Sequence, residues 1–95
     1  MEREKRVSPR VSFETDVTVT SGDWEWKAKS KDISIGGMFL KSNRFPQIGS
    51  VVYLIFNIGD DDVKIKTFVR WSTPDGFGVQ FDLLGVKLTH AINQL

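Results

Sequence analysis

Two short clusters hold the side chains best suited to gripping a charged, flat ligand. The first, Arg6-Val7-Ser8-Pro9-Arg10, sets two arginines four residues apart; the second, Asp32-Ile33-Ser34-Ile35-Gly36-Gly37, begins twenty-two residues after Arg10. A guanidinium is a planar fork whose paired N–H groups match phosphate oxygens or the edge of a base, and whose face stacks on rings. Lysine, a point charge, does not replace it. Pro9 stiffens the first cluster and disfavours a helical conformation at Ser8, so an extended or turn-like arm can send both forks to one place. In the second cluster Asp32 and Ser34 are two residues apart and, on an extended chain, project from the same face. The carboxylate accepts from N–H donors, and the hydroxyl reaches a phosphate or a base edge. Gly36-Gly37 allows positive φ and leaves room for a ligand to approach. Alone, each cluster has a plainer reading: terminal arginines are usually solvated, and Asp-x-Ser before glycines is usually a turn.

Other chemistries find little support. Without cysteine there is no disulfide framework, thiolate metal site or cysteine nucleophile. His90 is the sole histidine and has no partner identifiable in the sequence, so it reads as structural or exposed. Asp60-Asp61-Asp62 lacks the alternating ligand spacing of a calcium loop and reads as a polar turn. No catalytic residue, cofactor or metal is assigned. A net charge of +1 is too small for a protein that coats nucleic acid through phosphate contacts alone. The basic surplus lies in the first ten residues, where Arg3, Lys5, Arg6 and Arg10 face only Glu2 and Glu4.

The elements that must position these clusters are short strands. Val11, Phe13, Thr15, Val17 and Val19 alternate with polar residues, the period of a strand with one buried face. Ser21-Gly22-Asp23 supplies a turn, and alternation resumes at Trp24, Trp26 and Ala28, making a hairpin. Met38–Lys41 is a third run. The apolar stretch Val51–Phe56 predicts a strand covered on both faces. Val63, Ile65, Thr67, Val69 and Trp71 share one face of the next run; Pro74-Asp75-Gly76 turns the chain into Phe77, Val79 and Phe81. Phe68, on the face of Lys64, Lys66 and Arg70, is the aromatic that does not fit the core; most of the three tryptophans and seven phenylalanines do. About six closely spaced strands predict an all-β antiparallel barrel or sandwich, with the barrel favoured because closure removes exposed edges. Leu84, Leu88, Ala91 or Ile92, and Leu95 fall on one helical face, predicting a short C-terminal helix that caps the barrel. One conflict remains. Asp32 and Ser34 lie in phase with the inward Trp24, Trp26 and Ala28, which a bulge or strand end near Ile33 would resolve.

At 95 residues the chain suits one domain. No apolar run approaches the roughly 18 residues of a membrane span, and Met1–Arg10 is charged rather than apolar, so a cytoplasmic location is expected. The division expected is a flexible basic N-terminal arm over residues 1–10 and a barrel with its helix over residues 11–95.

In this order, at this spacing and among short strands, the two clusters resemble the paired signature of the PilZ family, R-x-x-x-R followed by D/N-x-S-x-x-G. Arg6 and Arg10 stand in the first motif and Asp32, Ser34 and Gly37 in the second, with no signature position substituted. Phe68-Val69-Arg70-Trp71 and Gly76-Phe77-Gly78-Val79-Gln80-Phe81 also resemble that family's last strands, so the likeness covers essentially the whole chain. It implies a six-stranded antiparallel β-barrel that binds cyclic diguanylate (c-di-GMP), with the arm folding over the ligand and the second motif forming the facing wall. The implied binding residues are Arg6, Arg10, Asp32, Ser34, Gly36 and Gly37, with Lys5 and Arg70 as accessories. The ligand offers two phosphates and two guanines, which suits arginine forks, and Asp32 is assigned to guanine N–H groups. The expected role is a non-enzymatic receptor and adaptor acting through a protein partner in motility, biofilm matrix or virulence control. It is expected as a monomer or weak dimer without DNA, RNA or a fused output domain. The alternatives are a PilZ module that binds only protein, and a small barrel that binds single-stranded nucleic acid.

Overall fold

The computed structural model describes residues 9–95, so Lys5 and Arg6 lie outside the described residues. Alternation in the sequence becomes seven strand segments and one helix: β1 (Val11–Ser12), β2 (Asp16–Ser21), β3 (Trp24–Ile33), β4 (Gly37–Lys41), β5 (Val51–Ile58), β6 (Asp61–Thr73), β7 (Gly76–Phe81) and α1 (Val86–Asn93). All pairings are antiparallel, in the order β3-β2-β5-β6-β7-β4, and β4 returns to β3, closing a six-stranded barrel. Closure leaves no long unpaired edge in that ring. At Ile33, β4 takes one side of β3 through Met38 and β1 takes the other through Val11. Thus β1 extends the line of β2.

The long strand expected from Val11 to Thr20 keeps its phase but not its pairing. Between β1 and β2 the ladder gives way to bonds from Phe13 N–H to the Lys31 carbonyl and from Ser30 N–H to the Thr15 carbonyl. The fully buried Ser30 hydroxyl bridges the gap, accepting from Thr15 N–H at 2.9 Å and donating to the Phe13 carbonyl. A buried hydroxyl with both partners costs little; without them it would be a liability.

Inward residues fill the barrel. Val17, Val19, Ile33, Met38, Leu40, Val52, Leu54, Val69 and Phe77 are fully buried, and Leu88 and Ile92 of α1 join the same core. The helix therefore packs as expected through Leu88 and Ile92, but Leu95 lies past its end and is half exposed. Gly22 (φ 60°) and Gly59 (φ 59°) turn the β2–β3 and β5–β6 hairpins in the left-handed region that glycine tolerates.

Two strand readings need correction. β5 is not covered on both faces: it strictly alternates, leaving Val51, Tyr53 and Ile55 exposed, because among the described residues no element packs outside the barrel there. Trp71 does not share the inward face of Val69, because a register shift in β6 between Val69 and Trp71 turns it outward. Among the described residues no helix is long and apolar enough to cross a membrane, and no acid, histidine or cysteine cluster could hold a metal. Asp61 instead approaches Lys87, and Asp62 accepts from Asn57.

Candidate functional site

Two bulges build the site. In β3 the register shifts between Ser30 and Asp32, so Ser30 points inward, Lys31 and Asp32 both reach the outer face, and Ile33 resumes the core. A bulge carries one unpaired extra residue, which lets two successive side chains share a face. This resolves the conflict over Asp32, slightly earlier than Ile33. The second bulge, in β6, does the same for Arg70 and Trp71.

The two strands face each other across β4 and β7, and their outward residues enclose a groove of about 330 Å³ lined by Arg10, Lys31, Asp32, Phe39, Trp71, Thr73 and Asp75. Its size falls within the range of small-molecule sites. The centre is Arg10. Its Nε donates to Asp32 Oδ1 at 2.9 Å, and its guanidinium carbon lies 5.5 Å from the centroid of the Trp71 ring. Only one nitrogen of the fork and one carboxylate oxygen are used in that bond. Both side chains are partly exposed, 37% and 25%, so the pair contributes little to stability and is free to exchange partners. Trp71 lies over Gly78, its cross-strand partner: a Cβ there would stand 2.1 Å from ring atoms of the indole. Gly78 is therefore the seat of the ring. Lys31, with Nζ 5.9 Å from the Phe39 centroid, adds positive charge at the rim, and Lys41 continues it.

The remaining second-motif residues lie beside the groove rather than in it. Ser34 follows the end of β3, so it does not share a sheet face with Asp32. It is buried; its N–H donates to the Gly37 carbonyl and its hydroxyl accepts from Gly36 N–H at 3.1 Å. Neither Gly36 nor Gly37 has positive φ, contrary to the expectation. Gly37 answers a different demand: a Cβ would fall 2.0 Å from the Val79 carbonyl oxygen, so it is β7, not a ligand, that approaches so closely.

The PilZ domain family matches the chain over residues 4–95. The chain belongs to the PilZ family. No curated protein sequence matches it. Solved structures with the same fold include the Bacillus subtilis inhibitor of motility MotI/DgrA, at TM-score 0.77 and 19% identity over 97% of this chain and 49% of that one. The PilZ domain of CeSA from a cellulose-synthesizing bacterium matches at TM-score 0.72 and 12% identity, covering 90% of this chain and 92% of that one. Borreliella burgdorferi PlzA, solved in complex with c-di-GMP, matches at 0.70 and 18%, over 94% of this chain and 40% of that one. The chain thus spans about half the length of MotI.

In this PilZ domain the fold brings Arg10 and Asp32 together across twenty-two residues. It does not bring Arg70 to them: Arg70 Nε donates to Gln80 Oε1 at 2.6 Å, and its guanidinium stacks near Phe68. That contact also places Phe68, half-buried between Lys66 and Arg70, on the outer face. Residues that the sequence left unassigned are Trp71, Phe39, Lys31, Thr73 and Asp75. The available signal for Trp71 was Gly78 on the neighbouring strand, an outward position without a side chain that something flat had to cover; Gly76 instead lies against the Leu40 carbonyl.

Proposed function

We propose that this PilZ domain is a c-di-GMP receptor and adaptor without catalytic activity of its own. The observation that carries the reading is the Arg10–Asp32–Trp71 cluster, in which one residue from each signature motif meets an aromatic ring over a glycine. Each group suits one part of the ligand. Arg10 can exchange its single bond to Asp32 for a bidentate contact with phosphate or with guanine O6 and N7. Asp32, once released, accepts from guanine N–H groups, which an adenine ring does not present in the same pattern. Trp71 offers a face for stacking. Arg6 supplies the second fork, and Lys5, immediately before it, bears on how many ligand molecules are held. Ser34, Gly36 and Gly37 set the turn that holds Asp32 at the end of its strand. PlzA and Klebsiella pneumoniae MrkH, both of this fold, are known as c-di-GMP complexes, which supports the same ligand here.

The arm closing on the ligand would reshape this side of the barrel, and a partner protein would read the change. A ligand-independent module is the second reading, favoured by the fact that Arg10 and Asp32 already pair with one another. Isothermal titration with c-di-GMP separates the two, with cyclic GMP and Arg10→Ala as controls. Saturable binding that weakens about five- to 150-fold in the variant, the worth of one bidentate contact of roughly 1–3 kcal/mol, supports the receptor. No heat at two temperatures supports the module.

A further inference from the structure

Away from the groove, aromatic side chains collect where the start of β3 meets the loop between β4 and β5. The Arg44 guanidinium carbon lies 5.2 Å from the centroid of Trp24 and 5.7 Å from that of Trp26. Phe45 and Pro46 complete a shallow pocket of about 150 Å³. The arrangement is built rather than incidental. Trp26 Nε1 donates to Ser42 Oγ at 3.2 Å, and the same hydroxyl accepts from Arg44 N–H and donates to the Arg44 carbonyl. Yet Trp24 is 64% exposed and Phe45 45%. A rimmed aromatic patch left in water marks an interaction site, and tryptophan and arginine are the side chains that most often dominate protein interfaces.

The chemistry of the occupant follows from charge. Arg44 is the one charged side chain lining the pocket, and it has no ion-pair partner among the described residues. A carboxylate would meet its fork, and an apolar side chain beside that carboxylate would cover Trp24 and Phe45. A nucleic-acid strand could stack on the same rings but needs successive cations for successive phosphates, and the hairpin here carries Asp23 and Glu25 instead. The patch is also tied to the groove. Ser42 N–H donates to the carbonyl of Asp75, which lines the groove, while Ser42 Oγ holds Trp26.

We infer that the Trp24–Arg44–Trp26 cluster is the docking surface for a partner protein segment that presents an aspartate or glutamate beside an apolar side chain. Its place in signalling rests on the receptor reading; its binding chemistry does not. The test follows the indole N–H signals of Trp24, Trp26 and Trp71 by NMR while the protein is titrated with two short peptides. One alternates glutamate with leucine and the other glutamine with leucine, and no c-di-GMP is present. The glutamate peptide should move Trp24 and Trp26, leave Trp71 in place, and bind roughly tenfold more tightly than the glutamine peptide. Arg44→Gln should erase that preference without disturbing the exposed loop's anchor at Ser42. Equal binding of the two peptides, shifts confined to other residues, no shift at all, or tighter binding of an oligothymidine would overturn the inference. Adding c-di-GMP to the same sample reads the groove through Trp71, so either site can fail while the other stands.

Discussion

Gly78→Ala is the most informative single change to this barrel. Gly78 faces Trp71 across β6–β7 and Phe39 across β4–β7. An added Cβ would stand 2.1 Å from two carbons of the indole, and the three nearest atoms all belong to that ring rather than to backbone. The clash is relieved by swinging an exposed side chain off the strand, so the ladder survives and stability should change by about 1 kcal/mol or less. The groove fares worse. Arg10 loses its ring, roughly 0.5–1 kcal/mol at an exposed site, and a guanine loses its stacking face, roughly 1–3 kcal/mol. Only the second bears on affinity, since the first is a contact of the ligand-free groove, and c-di-GMP binding should weaken about five- to 150-fold. Titration calorimetry gives the affinity, a thermal melt checks the fold, and Trp71→Ala should reproduce the loss. Wild-type affinity in Gly78→Ala with an unchanged melt would refute the role given to the ring.

Gly37→Ala should behave in the opposite way. Its Cβ would meet the Val79 carbonyl 2.0 Å away, a backbone atom that cannot swing aside, so β4 and β7 must part. A loss of about 2–3 kcal/mol, read as a fall in melting temperature of roughly 10 °C or more, is expected; a shift of a degree or two would show that the sheet yields more easily. Ser30→Ala should orphan the part-buried Thr15 N–H and Phe13 carbonyl, costing about 1–2 kcal/mol and loosening the segment that leads from Arg10 into the barrel. Hydrogen exchange at Thr15 faster than wild type would accompany it, and protection equal to wild type would count against the bridge.

The strands and helix were legible because period two and period 3.6 survive in Val17/Val19, Phe77/Val79 and Leu88/Ile92. What the sequence concealed lies where pairing breaks. Alternation assumes an uninterrupted ladder, so Trp71 reads as core although a bulge at the preceding residue in effect resets its strand. For Asp32 the same device could be anticipated, because the carboxylate fell in phase with Trp26 and Ala28 and had to escape. Val51, Tyr53 and Ile55 misled in another way: apolar residues facing water look the same in sequence as apolar residues facing a second layer. The candidate site was half visible. The charged members stood out as a motif, whereas the aromatic and glycine that seat them depend on which residues lie opposite one another across β6 and β7, a relation that no linear spacing records.

The two bulges also change what happens when the chain is shortened. Deleting a residue from an ordinary strand inverts every side chain beyond it, sending core residues to water. Lys31 and Arg70 each stand as a surplus position between an inward neighbour, Ser30 or Val69, and a second outward one, Asp32 or Trp71. Removing either leaves Ser30 and Ile33 inside, or Val69 inside and Trp71 outside, and trims one outward side chain instead, Lys31 from the groove or Arg70 from the outer face beside it. At these two places a single-codon deletion edits the outer surface while sparing the core, so length variation at Lys31 is a route by which such a barrel could acquire or lose ligand contacts without first losing its fold.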